Sequence, residues 1–111
     1  MYDQNNIFAK IIKKEIPAKV VYEDNKVLSF YTIEPLAKIH VLVIPKGEYT
    51  DYKDFTTKAS DETICDFFKK VHIIAKQLNI EDSYKLITNY GSASSQEVFH
   101  FHVHLLAGVF K

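Results

Sequence analysis

The sequence predicts an α+β domain: a mostly antiparallel five-stranded sheet carrying one long and one short helix. Three observations predict it. Short apolar-rich segments alternate with turn signals. One long stretch, Asp61 to Asn79, repeats its apolar residues at helical spacing. The order runs short helix, three strands, long helix, two strands, and its hairpin-type connections favour antiparallel pairing.

Each element has its own signal. Asn5 or Asn6 caps a short helix from Ile7 to about Lys14, with Ile7, Phe8, Ile11 and Ile12 as its apolar positions. Pro17 stops it. Val20 to Glu23 and Lys26 to Thr32 read as strands around an Asp24-Asn25 turn. Ile33 to Lys38 contains Pro35 and reads as loop. His40 to Ile44 is an apolar run, a buried strand ended by Pro45. Lys46 to Ser60 is polar and reads as loop with room for a helical turn. Ser60 caps the long helix, whose apolar face is Ile64, Phe67, Phe68, Val71, Ile74, Ala75 and Leu78. Tyr84 to Asn89 is a strand, Gly91 to Gln96 a loop of small residues, and Val98 to Leu106 the last strand.

All 111 residues, 1–111, read as one domain, with no repeat or linker. Fourteen basic residues balance fourteen acidic ones, which argues against nucleic acid as partner. A small phosphorylated ligand needs only local donors. The single cysteine, Cys65, fits a reducing compartment. No segment approaches the roughly 20 apolar residues of a membrane span, and the N-terminus lacks a signal-peptide core. The chain reads as cytoplasmic, with no membrane partner.

Three of the five histidines stand at 100, 102 and 104. On a strand they share one face, while Phe99, Phe101, Val103 and Leu105 share the other. Three readings compete: a polar sheet face rich in His, a zinc site built on the i, i+2, i+4 spacing, and nucleophilic catalysis by one imidazole. Neutral imidazole is a good nucleophile near neutral pH and can leave phosphorus again. A second His can bond phosphoryl oxygens or assist the departing group, and a third can orient the pair. The preceding loop, Gly91-Ser92-Ala93-Ser94-Ser95-Gln96, lets main chain approach phosphate.

His100-Phe101-His102-Val103-His104-Leu105-Leu106 resembles the histidine-triad (HIT) motif, in which His alternates with apolar residues. Asn6 to Ile12, Glu15-Ile16-Pro17-Ala18, His40 to Lys46, Asn89-Tyr90-Gly91 and Gln96 to His100 are similar to further family segments, in the same order. The nearest branch is the small Hint-type nucleotide-binding proteins. The resemblance implies hydrolysis or transfer at the α-phosphate of nucleoside phosphoramidates or dinucleoside polyphosphates. A nucleotidyl-histidine intermediate forms, and a nucleoside monophosphate is released. It implies His102 as nucleophile, its other ring nitrogen held by the His100 carbonyl. His104 would contact phosphate and leaving group, and His40 would support with His100. Phe8, Ile11, Ile16 and Phe30 would wall a base pocket, and Thr32 and Ile33 would lie at the ribose. Asn89, Ser95, Gln96, Glu97 and Val98 would lie near phosphate and nucleoside. The ligand would be a purine, AMP-like nucleotide. The resemblance implies a homodimer and no required cofactor, with no metal-ligand residues assigned; zinc could bind without entering the chemistry.

Four positions depart from the family pattern. Thr32 stands where an Asp usually grips both ribose hydroxyls, and a hydroxyl is the poorer double acceptor. Ser94 and Ser95 replace a glycine-rich pair. Glu97 replaces a frequent Ser near the leaving group, which favours a cationic amine there. Two alternatives stand beside the hydrolase: a nucleotide-binding scaffold or sensor dimer with little turnover, and a metal enzyme using His40, His100, His102 and His104.

Overall fold

Asn6 starts the first helix of the computed structural model, which describes residues 1–110; Lys111, the end of the expected 1–111 domain, lies outside the described residues. The Asn6 side chain accepts from the Ala9 N–H at 2.9 Å, and helix α1 spans Ile7–Ile12. It stops before the expected Lys14 because Lys14 turns into the left-handed region, at φ 65°.

Strands β1 (Val20–Glu23) and β2 (Val27–Tyr31) pair antiparallel. Their turn rests on Asp24, whose Oδ1 accepts from the N–H groups of Lys26 and Val27 at 2.7 and 2.8 Å. β3 spans Ala37–Pro45, so it begins three residues earlier than expected and takes in part of the segment read as loop. Its extra residues pair with the last strand, a contact invisible in local sequence. The stretch read as polar loop contains helix α2, Tyr52–Lys58. Asp51 caps it by accepting from the Asp54 N–H at 2.8 Å, and Phe55 is its one fully buried residue. A single apolar anchor makes no period, which is why the helix escaped the sequence pattern.

Helix α3 covers Asp61–Gln77 and is capped by Ser60. Phe67, Val71, Ile74 and Ala75 are buried, and Ile64 and Leu78 pack beside them. Phe68 is the exception: it lies next to the buried stripe and stays 39% exposed. β4 is only Lys85–Ile87, shorter than the expected 84–89. A 3-10 turn, Ser92–Ser94, fills the small-residue loop, and β5 spans Val103–Phe110. The sheet order is β1-β2-β3-β5-β4, with every neighbouring pair antiparallel.

The central strands of the sheet are buried on both faces. Against α2 and α3 lie Val27, Val41, Val43, Phe101, Val103 and Leu105. Against α1 lie Leu28, Phe30, Leu42 and Ile44, with Phe8 and Ile11. β3 therefore reads as a continuous apolar run because both of its faces are covered. No helix among the described residues is long and apolar enough to cross a membrane.

The last strand begins at Val103, not at Val98. His100 and His102 thus precede the ladder, in an extended run whose main chain bends at residues 98–100. The bend turns Phe99 outward: it is 41% exposed and does not join Phe101, Val103 and Leu105 in the core.

Candidate functional site

The histidines sit on the α1 side of the sheet. Phe101, Val103 and Leu105 point into the α3 core, so the alternating residues His102 and His104 face the other way. The Phe8 ring stands edge-on to His102, with centroids 5.0 Å apart. His102 and His104 have ring centroids 5.2 Å apart. Across the ladder His104 lies opposite Leu42, and the His40 ring on β3 reaches it diagonally.

Hydrogen bonds fix the proton on each ring. The Pro45 carbonyl can only accept, so His100 Nε2 donates to it at 2.7 Å. His100 Nδ1 then carries a lone pair, and the Tyr2 hydroxyl donates to it at 2.5 Å. The His100 carbonyl in turn accepts from His102 Nδ1 at 2.7 Å, the contact that the resemblance implies. This leaves the lone pair of His102 on Nε2. The Leu36 N–H donates to His40 Nδ1 at 3.0 Å, so His40 Nε2 bears the proton and donates to His104 Nδ1 at 3.0 Å. His104 consequently presents Nε2–H as a donor. Among the described residues, one lone pair and one N–H are left without a ring or main-chain partner, on adjacent imidazoles.

Burial keeps the rings neutral. It pushes His100 down to about 4, against the opposing Pro45 hydrogen bond. His104 is likewise lowered to about 4 by burial, with smaller contributions from His102 and His40. Burial lowers His102 and His40 too. A sign follows for stability. Between pH 6.5 and 4 the unfolded chain protonates His100 and His104 while the folded chain does not, and His102 and His40 act in the same direction, so acid favours unfolding. His100 alone removes about 2 kcal/mol by pH 5 relative to pH 8. Urea midpoints are expected to fall between pH 8 and pH 5, and unchanged midpoints would contradict neutral buried rings.

The other expected residues fall into three groups. Phe8, Ile11 and Phe30 are buried in the cluster beneath the histidines, with Ile16 and Val98 packed against it. Thr32 lies just beyond β2 and its hydroxyl accepts from the Glu34 N–H at 3.4 Å, while Ile33 is 91% exposed. Asn89, Ser95 and Gln96 belong to the loop itself. Asn89 Nδ2 donates to the Ser94 carbonyl at 2.9 Å, and Ser95 takes a left-handed φ of 70°. Buried Gln96 accepts from the Gly91 N–H and donates to the Thr50 and Val98 carbonyls. The N–H groups of Ser94, Ser95 and Gln96 bond to Gly91 and Ser92 carbonyls, so the loop closes on itself. Glu97 is exposed, and together with Val98, Asp3, Asn6 and Thr50 it lines an open cavity of about 520 Å³.

Sequence reasoning missed Tyr2 and Thr88. The Thr88 hydroxyl donates to the His102 carbonyl at 2.8 Å, holding the main chain of that residue from behind. Both contacts join residues distant in the chain, and no local pattern marks them. Among the described residues no group of three or more His, Cys, Asp or Glu is placed to hold a metal ion. The hydrogen bonding gives the reason at the triad: the lone pairs of His40, His100 and His104 already accept.

Comparison with known proteins places this site in context. Residues 13–110 match the HIT domain family model. The chain is 49% identical over 109 residues to an uncharacterized HIT-like protein of Rickettsia prowazekii, covering 97% of this chain and 91% of that one. It is 46% identical to a 14 kDa zinc-binding protein of Zea mays, over 96% of this chain and 84% of that protein. The structure resembles a HIT family hydrolase from Clostridium thermocellum with a TM-score of 0.88 and 41% identity, covering 96% and 93% of the two chains.

Proposed function

The chain belongs to the HIT domain family, and from that premise we propose that it hydrolyses or transfers nucleotidyl groups at the α-phosphate of nucleoside phosphoramidates or dinucleoside polyphosphates. One observation supports this reading most: His102 holds its Nδ1 proton on the His100 carbonyl and so keeps its lone pair on Nε2, in a ring 5.2 Å centroid to centroid from His104, whose Nε2 bears a proton. A neutral buried imidazole oriented in this way is an activated nucleophile.

In the proposed reaction, His102 Nε2 attacks phosphorus and the Nε2–P bond forms. The bond from phosphorus to the leaving nitrogen or oxygen breaks, and the leaving group keeps the electron pair and takes a proton from solvent. The His102 ring becomes cationic, and its Nδ1–H bond to the His100 carbonyl strengthens with that charge. His104 Nε2–H donates to a phosphoryl oxygen or to the departing atom. Water then attacks phosphorus and gives up a proton. The P–Nε2 pair returns to His102, and a nucleoside monophosphate leaves.

The apolar cluster of Phe8, Ile11, Ile16, Phe30 and Val98 suits a purine base, and by the family resemblance Thr32 and Ile33 would serve the ribose and Asn89, Ser95, Gln96 and Glu97 the phosphate side. Homodimerisation fits the exposed Leu86 and Ile87 on edge strand β4 and the exposed Phe68 and Ile73 on α3. A cytoplasmic setting fits the single unpaired Cys65.

The direct test is capture of the intermediate. The protein is mixed with an adenosine phosphoramidate, quenched with base and digested. The peptide containing His102 is expected to carry an acid-labile adenylyl group. Monophosphate release with no such adduct, at any quench time, would rule out the covalent route.

A further inference from the structure

We propose that Tyr2 is a positioning residue for the His102 nucleophile, acting through His100. The inference rests on the catalytic reading above only for its activity readout. Its geometric basis is independent. His100 is fully buried, and its ring has two polar atoms to satisfy. Nε2 meets the Pro45 carbonyl, and Nδ1 meets the Tyr2 hydroxyl. The Tyr2 ring also stands edge-on to His100, with centroids 5.5 Å apart. The imidazole is thus clamped at both nitrogens and along one side.

This clamp bears on His102 because the two histidines share a hydrogen bond through main chain. The acceptor for His102 Nδ1 is the carbonyl of His100, and that carbonyl lies outside any paired strand. The same peptide unit is held on its other side, where the Phe101 N–H donates to the Tyr49 carbonyl at 2.7 Å, and the clamped His100 side chain is its second hold. Removing the Tyr2 hydroxyl leaves Nδ1 as a buried acceptor without a donor. The ring can regain one only by rotating or by admitting water, and either movement disturbs the carbonyl and the tautomer it imposes on His102.

The segment before α1 holds Tyr2 in place. Gln4 Nε2 donates to Glu48 Oε2 at 2.6 Å, and the Asn6 side chain donates to the Asp3 carbonyl at 2.7 Å. Burial raises the Tyr2 hydroxyl above its ordinary value, against a lowering by Asn6, so it stays a donor at neutral pH.

The test is Tyr2→Phe, which keeps the ring and removes the hydroxyl. Two readouts go beyond a structural role. The first is the His102 Nδ1–H resonance in proton–nitrogen NMR of imidazole-labelled protein. It is expected to shift, with exchange about tenfold faster. The second is the split between kcat and KM, with kcat about tenfold lower and KM within about twofold of wild type. Thermal melting confirms that the variant is folded. An unchanged His102 resonance overturns the proposal, whatever happens to kcat. If wild-type protein turns over no nucleotide, the reaction reading fails while the resonance still decides the role of Tyr2.

Discussion

Replacing His102 with Ala is expected to lower single-turnover hydrolysis of an adenosine phosphoramidate by on the order of 10⁴-fold, with substrate binding largely retained. The reason is specific to this atom. Among the described residues, His102 Nε2 is the one lone pair of the four rings to which no ring or main-chain donor bonds. Loss of a nucleophile that acts as a unit with its partners has effects of this size. His104→Ala is expected to cost less, since His104 offers a hydrogen bond rather than the bond-forming atom. Release of a fluorescent amine reports both rates. Truncating His102 also leaves the His100 carbonyl without its donor, at about 1–3 kcal/mol of stability. Melting curves therefore accompany the kinetics. Turnover of His102→Ala equal to wild type would refute the nucleophile assignment outright.

Phe101→Ala is expected to lower stability by about 3–5 kcal/mol in urea unfolding. The ring stacks on Phe55 at a centroid distance of 4.5 Å and an interplanar angle of 13°, and it also touches Phe67. It is the point where α2 and α3 meet the segment that carries His100 and His102. Its own N–H donates to the Tyr49 carbonyl at 2.7 Å, which fixes the segment between His100 and His102. A cavity there loosens the nucleophile as well as the core, so activity is expected to fall together with stability. Phe99→Ala is the companion. Phe99 is exposed, and its truncation is expected to change stability by less than about 0.5 kcal/mol. Equal losses from the two substitutions would mean that both rings line one buried strand face.

That pair of substitutions separates what alternation implies from what the chain does. Alternation groups Phe99 with Phe101, because strand geometry is assumed from residue 98 onward. Pairing with β3 begins only at Val103, and the bend before it sends Phe99 to solvent. His100 and His102 keep their grouping for a different reason. Phe101 between them is fixed in the core, so its neighbours are turned away from that core. The same limit hid α2. Phe55 is its one buried residue, and one buried position in seven carries no periodic signal.

By itself the sequence determined the α+β class, the long helix, the strands β1 and β2, and the three alternating histidines at the head of the last strand. These follow from period, capping and turn chemistry, which act over a few residues and are written locally. Tertiary structure decided which nitrogen of each ring carries its proton. Tyr2, Leu36 and Pro45 are drawn from three separate segments, and the contacts of Tyr2 and Pro45 with His100 span 98 and 55 residues of chain. A tautomer is set by whichever donor or acceptor the fold brings within hydrogen-bonding reach. Residue identity at 100, 102 and 104 makes the chemistry available; only the folded chain assigns the lone pair to His102.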